Sequence, residues 1–126
     1  MQKLLFSFEG RINRAKFWLV LLGVAVVEVF VLSATGGSAY LTTADPTMAM
    51  QSMGSTGFIP LIIFIPLFWI GLAANVKRWH DRDKSGWWIL INLVPVIGGL
   101  WSLIETGFLP GTHGPNRFGP DPLQLL

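Results

Sequence analysis

The side chains with the most chemistry to offer stand together, in Lys77-Arg78-Trp79-His80-Asp81-Arg82-Asp83-Lys84-Ser85-Gly86-Trp87-Trp88. One histidine and two carboxylates within four positions are the beginnings of a divalent-metal site or an acid–base pair. Lys77, Arg78, Arg82 and Lys84 stand among them and would compete with a cation, and no second histidine lies nearby. At helical spacing the same residues make charge pairs, Arg78 with Asp81 and Lys77 with Asp81. Their basic side chains would also draw in anionic lipid, at about 1 kcal/mol per residue near a charged surface. An enzyme acting on lipid through His80 and Asp81 lacks a nucleophile beside the histidine. No metal or cofactor is expected, and any specific function of this stretch rests on His80, Asp81 and Asp83.

Glu28 is the second candidate. It lies inside an otherwise apolar run, FWLVLLGVAVVEVFVLSAT, where an ionised acid costs on the order of 2.5–3.5 kcal/mol by insertion scales. Such a residue marks an ion or proton path, or else holds neighbouring helices together as a hydrogen-bonded acid. The in-span amides, Asn75 and Asn92, both fall nearer the charged stretch than Glu28 does. Glu105, near the end of the last apolar run, reads as a solvated residue at an interface. Met48, Met50 and Met53 lack the histidine that would suggest a copper site. No phosphate-binding glycine loop, zinc signature or nucleophile elbow occurs, and no basic face is long enough to follow a nucleic acid.

These residues sit in a chain that is 52% hydrophobic and only 13% charged over 126 residues. A soluble domain of this length needs more charge to cover its surface, so the composition indicates an integral membrane protein. The absence of cysteine excludes disulfides and thiolate chemistry. Three apolar runs, 17–35, 57–76 and 87–108, each match a hydrocarbon core of ~30 Å. Gly37-Ser38-Ala39 resembles a leader-peptidase site, but the long basic start and the later runs favour an uncleaved first helix. Pro66 should kink the second run. The second helix is expected to continue through Lys84 and stop at Ser85-Gly86, with the glycine taking a left-handed cap or the serine capping the next helix. Either way the last two spans form a tight helical hairpin. The tail, 109–126, is rich in Gly and Pro and reads as an ordered sequence of turns or as disorder, not as helix.

The fold expected is therefore an all-α membrane protein, one domain over 1–126 with three transmembrane helices. Four basic residues before the first span, none in the 36–56 connector and four in 77–86 place the N-terminus and the charged turn in the cytoplasm. Three full spans put the tail outside. A break at Pro95-Val96-Ile97-Gly98-Gly99 would instead make the third run re-entrant and return the tail to the cytoplasm.

Three polar pieces recur in order: Phe8-Glu9-Gly10-Arg11-Ile12-Asn13-Arg14-Ala15-Lys16-Phe17-Trp18, then Arg78 to Trp88, then Gly111-Thr112-His113-Gly114-Pro115-Asn116-Arg117-Phe118-Gly119-Pro120-Asp121-Pro122. Together they resemble the YhaH-like family of small bacterial inner-membrane proteins, domain of unknown function 805. Trp79 departs from the leucine usual in that family, a change compatible with anchoring at the membrane interface. The resemblance implies a multi-pass protein of the bacterial inner membrane and no particular activity. It adds Asn116 and Arg117 to the candidate residues Arg11, Arg14, Glu28, Arg78, His80, Asp81, Asp83, Ser85 and Gly86. The function expected is a non-enzymatic accessory or assembly subunit, self-associating or part of a larger complex. The alternative is an oligomeric transport component using Glu28, with Arg11, Arg14 and the 77–84 charges at its cytoplasmic mouth.

Overall fold

A computed structural model describes residues 2–36, 42, 45–52 and 57–123. Gly37-Ser38-Ala39, Met53 and the side chain of Met50 lie outside the described residues. The elements in order are α1 (Gln2–Leu5), α2 (Arg14–Ala34), α3 (Pro46–Ser52), α4 (Phe58–Asp81), a 3₁₀ helix (Gly86–Leu93), α5 (Ile97–Leu103) and a π-helical turn (Ile104–Phe108). The described residues contain no strand, only an isolated antiparallel bridge between Asn116 and Gly119.

Local sequence sets each boundary. Asn13 caps α2, its Oδ1 accepting from the Lys16 N–H at 2.9 Å, the reason Asn is favoured before a first turn. Gly36, at φ +72°, ends the same helix in a conformation that costs a glycine little. Asp45 accepts from the Thr47 N–H at 2.9 Å and Pro46 opens α3, where a missing N–H is harmless. Asp45-Pro46 is thus the start of a short helix. α2 and α4, of 21 and 24 residues, are long and apolar enough to cross a membrane.

The end of α4 differs from expectation. Asp83, not Gly86, takes the left-handed conformation, at φ +58°. The Asp83 N–H donates to the His80 carbonyl and the Lys84 N–H to that of Trp79, both at 2.9 Å. That pair of bonds is a Schellman cap, and Ser85 is left to cap the 3₁₀ helix through the Trp87 N–H.

The single helix expected over 87–108 is also corrected. After Leu93 the chain breaks, Val96 takes φ +64°, and α5 begins at Ile97. Pro95 has no N–H to continue a helix and disfavours helical geometry in Val94, whose ψ is 118°. Gly98 lets the two arms touch: a Cβ there would lie 1.8 Å from the Ile91 carbonyl oxygen.

The described chain divides into two compact units, Met1–Leu21 with Ile70–Leu126, and Leu22–Trp69. In the first, Ile12, Phe17 and Ala74 form a small apolar core with Leu4, Val20 and Leu21 against it. Most of what this unit fully buries is polar or aromatic: Trp79, Arg78, Lys77 and Thr106. The second unit is apolar and open, with Phe30, Ile62 and Ile65 all largely exposed. It holds a groove of about 330 Å³ lined by Glu28, Val31, Leu32, Pro60, Phe64 and Leu67, among others.

Candidate functional site

The first unit is built round one carboxylate and two guanidinium groups. Asp81 ends α4, and its side chain is 5% exposed. Arg78, one turn earlier on the same helix, donates Nη1 to Asp81 Oδ2. Arg11, from the segment before α2, donates Nε to Asp81 Oδ1 at 2.9 Å. The two arginine side chains are 0% and 1% exposed.

Two cations against one anion leave a buried surplus of positive charge, which carbonyl oxygens absorb. Arg78 donates Nε to Thr106 O at 2.6 Å, Nη1 to Ile12 O at 3.1 Å and Nη2 to Leu109 O at 2.9 Å. Arg11 donates Nη1 to Gly114 O at 2.8 Å and Gly119 O at 3.3 Å, and Nη2 to Thr112 O at 2.6 Å. Only a planar fork of five N–H groups can serve so many acceptors, so lysine would not substitute. The backbone of Asp81 adds a further tie, its carbonyl accepting from the Thr112 N–H at 2.7 Å. Gly111 permits this approach, since a Cβ there would meet Asp81 Oδ2 at 2.0 Å.

Around this centre the tail is fastened residue by residue. Asn116 Nδ2 donates to the His80 carbonyl at 2.9 Å, while its Oδ1 accepts from the Phe118 N–H at 2.9 Å. The His80 ring lies flat on Phe118, with centroids 3.9 Å apart and planes 4° from parallel. His80 Nδ1 is 3.0 Å from the Gly10 carbonyl; a carbonyl only accepts, so Nδ1 carries the proton. Arg117 donates Nη2 to the Asp83 carbonyl at 3.1 Å and lies 3.5 Å from its carboxylate. Asp121 receives the Leu123 and Gly114 N–H groups at 2.9 Å each, and these bonds, Leu123's first, hold its carboxyl below the usual range.

A second ionic group closes the far side. Glu105 is buried, paired with Lys84 and, at 3.4 Å, with Arg82, and it accepts from Trp101 Nε1 at 2.7 Å. The solvated Glu105 of the sequence reading is therefore corrected: two cations and an indole offset its desolvation. Trp79, expected as an interfacial anchor, is likewise fully buried and stacked on Trp88 at 5.9 Å. Lys77 does not reach Asp81; its Nζ donates to the Lys3 and Leu4 carbonyls, which a short helix leaves unpaired.

Of the residues singled out in the sequence, Arg11, Arg78, His80, Asp81, Asp83, Asn116 and Arg117 converge. Gly86 closes against Val76 and His80, a Cβ there falling 2.8 Å from Val76 Cγ1. Ser85 caps the following helix, and the exposed Arg14 donates to the Phe108 carbonyl at 2.7 Å. Glu28 belongs to the other unit and its groove. The sequence reading missed Gly111, Thr112, Gly114 and Asp121 as parts of the site. The tail motif contains all four, but nothing in their residue types says that the Thr112 and Gly114 carbonyls meet Arg11, that Gly111 lies against Asp81 or that Asp121 holds the Gly114 N–H. Among the described residues no three His, Asp or Glu side chains stand close enough to hold a metal ion, and both Asp81 oxygens are taken.

The described residues thus define an all-helical protein, with two helices of membrane-crossing length among them and a buried arginine–aspartate clasp. The model of the family described as protein of unknown function (DUF805) matches residues 5–120, and the chain belongs to that family. It is 36% identical over 116 residues to the inner membrane protein YhaH of Escherichia coli, covering 92% of this chain and 87% of that one. It is 31% identical to the inner membrane protein YhaI of the same organism, covering 92% and 86%, and 28% identical to its uncharacterized protein YiiR, covering 96% and 89%. No solved structure matches the chain.

Proposed function

We propose that this protein resides in the bacterial inner membrane as a non-enzymatic accessory or assembly subunit. The observation that carries this reading is where the polar groups go. The clasp spends its guanidinium donors and both carboxylate oxygens on this chain's own backbone and side chains, which suits a structural lock better than a reacting centre. The large apolar faces of α2 and α4 are open, which suits helices that associate with lipid, a second copy or a larger membrane complex. The similarity to Escherichia coli proteins named as inner membrane proteins supports the location. Charge supports the orientation: the N-terminal segment and the 77–86 turn, with four basic residues each against none in the connector, face the cytoplasm and its anionic lipid.

A photo-cross-linker placed at Phe64, beside Glu28 in the groove, tests this in native membranes. Capture of a distinct membrane protein is the expected result. Capture of neither another protein nor a second copy, at Phe64 or at the neighbouring exposed Leu61, overturns it.

Glu28 sustains one rival reading, an oligomeric ion or proton transport component. Its groove offers the carboxyl only apolar company, the setting in which intramembrane acids carry protons. Proton or ion flux in reconstituted vesicles, abolished by Glu28→Gln, is what that reading requires; absence of flux under imposed gradients removes it.

A further inference from the structure

We infer that Gly86–Phe108 is a hairpin inserted in one leaflet of the bilayer, entering and leaving by the same face, with the acyl chains of that leaflet as its partner. The inference rests on the membrane placement proposed above and goes beyond it in assigning this segment's surface and the side of the tail.

The two feet of the segment meet. Lys84, just before it, pairs with Glu105 near its end, and Arg78 donates to the Thr106 carbonyl at 2.6 Å. Beyond it, Arg82 donates to the Pro110 carbonyl at 2.7 Å and the Thr112 N–H to Asp81 O at 2.7 Å. The end of the third apolar run and the tail after it are thus bonded to the same end of α4 at which the run begins. A through-span would separate those points by a hydrocarbon core of about 30 Å.

The reach fits half a bilayer. Eight residues of 3₁₀ helix at about 2.0 Å each extend about 16 Å. The chain then turns at Val94–Val96 and comes back through seven α-helical residues and five of the π turn. The turn pairs much of its own backbone: Val94 N–H to Ile91 O at 3.0 Å, Ile97 N–H to Pro95 O at 2.7 Å, Gly98 N–H to Val94 O at 3.2 Å and Leu100 N–H to Val96 O at 3.1 Å. Internal pairing of this kind is what irregular backbone needs in hydrocarbon, where no water can replace a missing bond.

The surface fits lipid chains. From residue 87 to 104 there is no charged side chain. Leu93, Val96 and Ile97 at the tip are 78%, 77% and 67% exposed, far more apolar surface than a water-facing loop carries. The apolar residues are exposed on both arms and over the tip, as a fluid partner would cover them. At the feet stand Trp87, Trp88 and Trp101 with Arg82 and Lys84, an indole and cation collar suited to the headgroup layer.

The chain's lack of cysteine gives a clean test. Single variants Glu9→Cys (N-terminal segment), Met48→Cys (connector), Ile97→Cys (tip) and Leu123→Cys (tail) are labelled with a membrane-impermeant maleimide in spheroplasts and in inverted vesicles. Expected: Leu123→Cys labels from the Glu9→Cys side only, opposite to Met48→Cys, and Ile97→Cys labels from neither side. A fluorophore at position 97 is then quenched most by spin labels on the acyl chains. Labelling of Leu123→Cys from the Met48→Cys side, or of Ile97→Cys from either side, overturns the inference. Val94→Cys repeats the tip measurement if Ile97→Cys fails to accumulate, and the Leu123→Cys readout lies outside the hairpin altogether. Extraction of the unsubstituted protein from membranes by alkaline carbonate would overturn the membrane placement itself, and the hairpin with it, and is read separately from sidedness.

Discussion

Asp81→Asn tests the clasp most directly, because it removes one charge and almost no volume. Arg11 and Arg78 would be left facing each other with side chains 1% and 0% exposed. Removing one partner of a buried ion pair costs about 3–5 kcal/mol, most of it the uncompensated charge that remains. Each arginine keeps carbonyl acceptors, Thr112, Gly114 and Gly119 for Arg11 and Thr106, Ile12 and Leu109 for Arg78. The cost should therefore fall at the lower end, near 3 kcal/mol, or roughly a hundredfold in the equilibrium between fastened and released tail. Amide hydrogen exchange in lipid nanodiscs reads this equilibrium locally. Protection at Thr112, whose N–H is bonded to Asp81 O, and at Gly114 and Gly119 should fall about a hundredfold, with that of 22–34 unchanged. A fall of less than threefold at all three would refute the view that Asp81 holds the tail in place.

Three further outcomes are expected. Gly111→Ala should loosen the same amides by about 1–3 kcal/mol, the usual cost of overpacking, because its Cβ would lie 2.0 Å from Asp81 Oδ2; exchange of Thr112 checks it. Asn116→Ala loses two hydrogen bonds, to His80 O and from the Phe118 N–H, at about 1 kcal/mol each, and should raise proteolytic cleavage within 111–122. Tail protection should also depend on pH through Asp121. Its carboxyl titrates lower in the folded protein than in the released tail, so the released form binds more protons and stability falls as pH drops. The loss should begin near the ordinary aspartate value of 3.8 and continue through the lower folded value, and Asp121→Asn should flatten that dependence.

Much of the architecture was legible because membrane-crossing helices announce themselves in uninterrupted apolar length, as 17–35 and 57–76 did. The third run, 87–108, has that length too, and only Pro95 and Gly98-Gly99 mark it as broken. Composition registers a weak point there, whereas the contact of Gly98 with Ile91 that closes the hairpin is a three-dimensional fact. The charged stretch was legible as a cluster but not as an interior. Charges three or four apart on a helix read as a solvated lattice, and what makes Arg78 and Asp81 buried is Arg11, 70 positions from Asp81, and carbonyls that no residue type reveals. Trp79 and Glu105 were misread for the same reason. A tryptophan beside lysines suggests an interface, and an isolated glutamate suggests water, until partners distant in sequence enclose them.

The bonds of Arg11 also impose an order in time. Its carbonyl partners Gly114 and Gly119 lie 103 and 108 positions later in the chain. At roughly 5–20 residues per second, synthesis of that interval takes on the order of 5–20 s. Through that interval the newborn chain carries a guanidinium whose acceptors do not yet exist, with Asp81 arriving first and the tail last. Completion of the clasp therefore waits on synthesis of residues 112–119. A chain arrested before Thr112 would pair Arg11 with Asp81 but leave its Nη donors without the carbonyls of Thr112, Gly114 and Gly119. Comparing the stability of chains ending before Thr112 and after Gly119 would show what those carbonyls contribute.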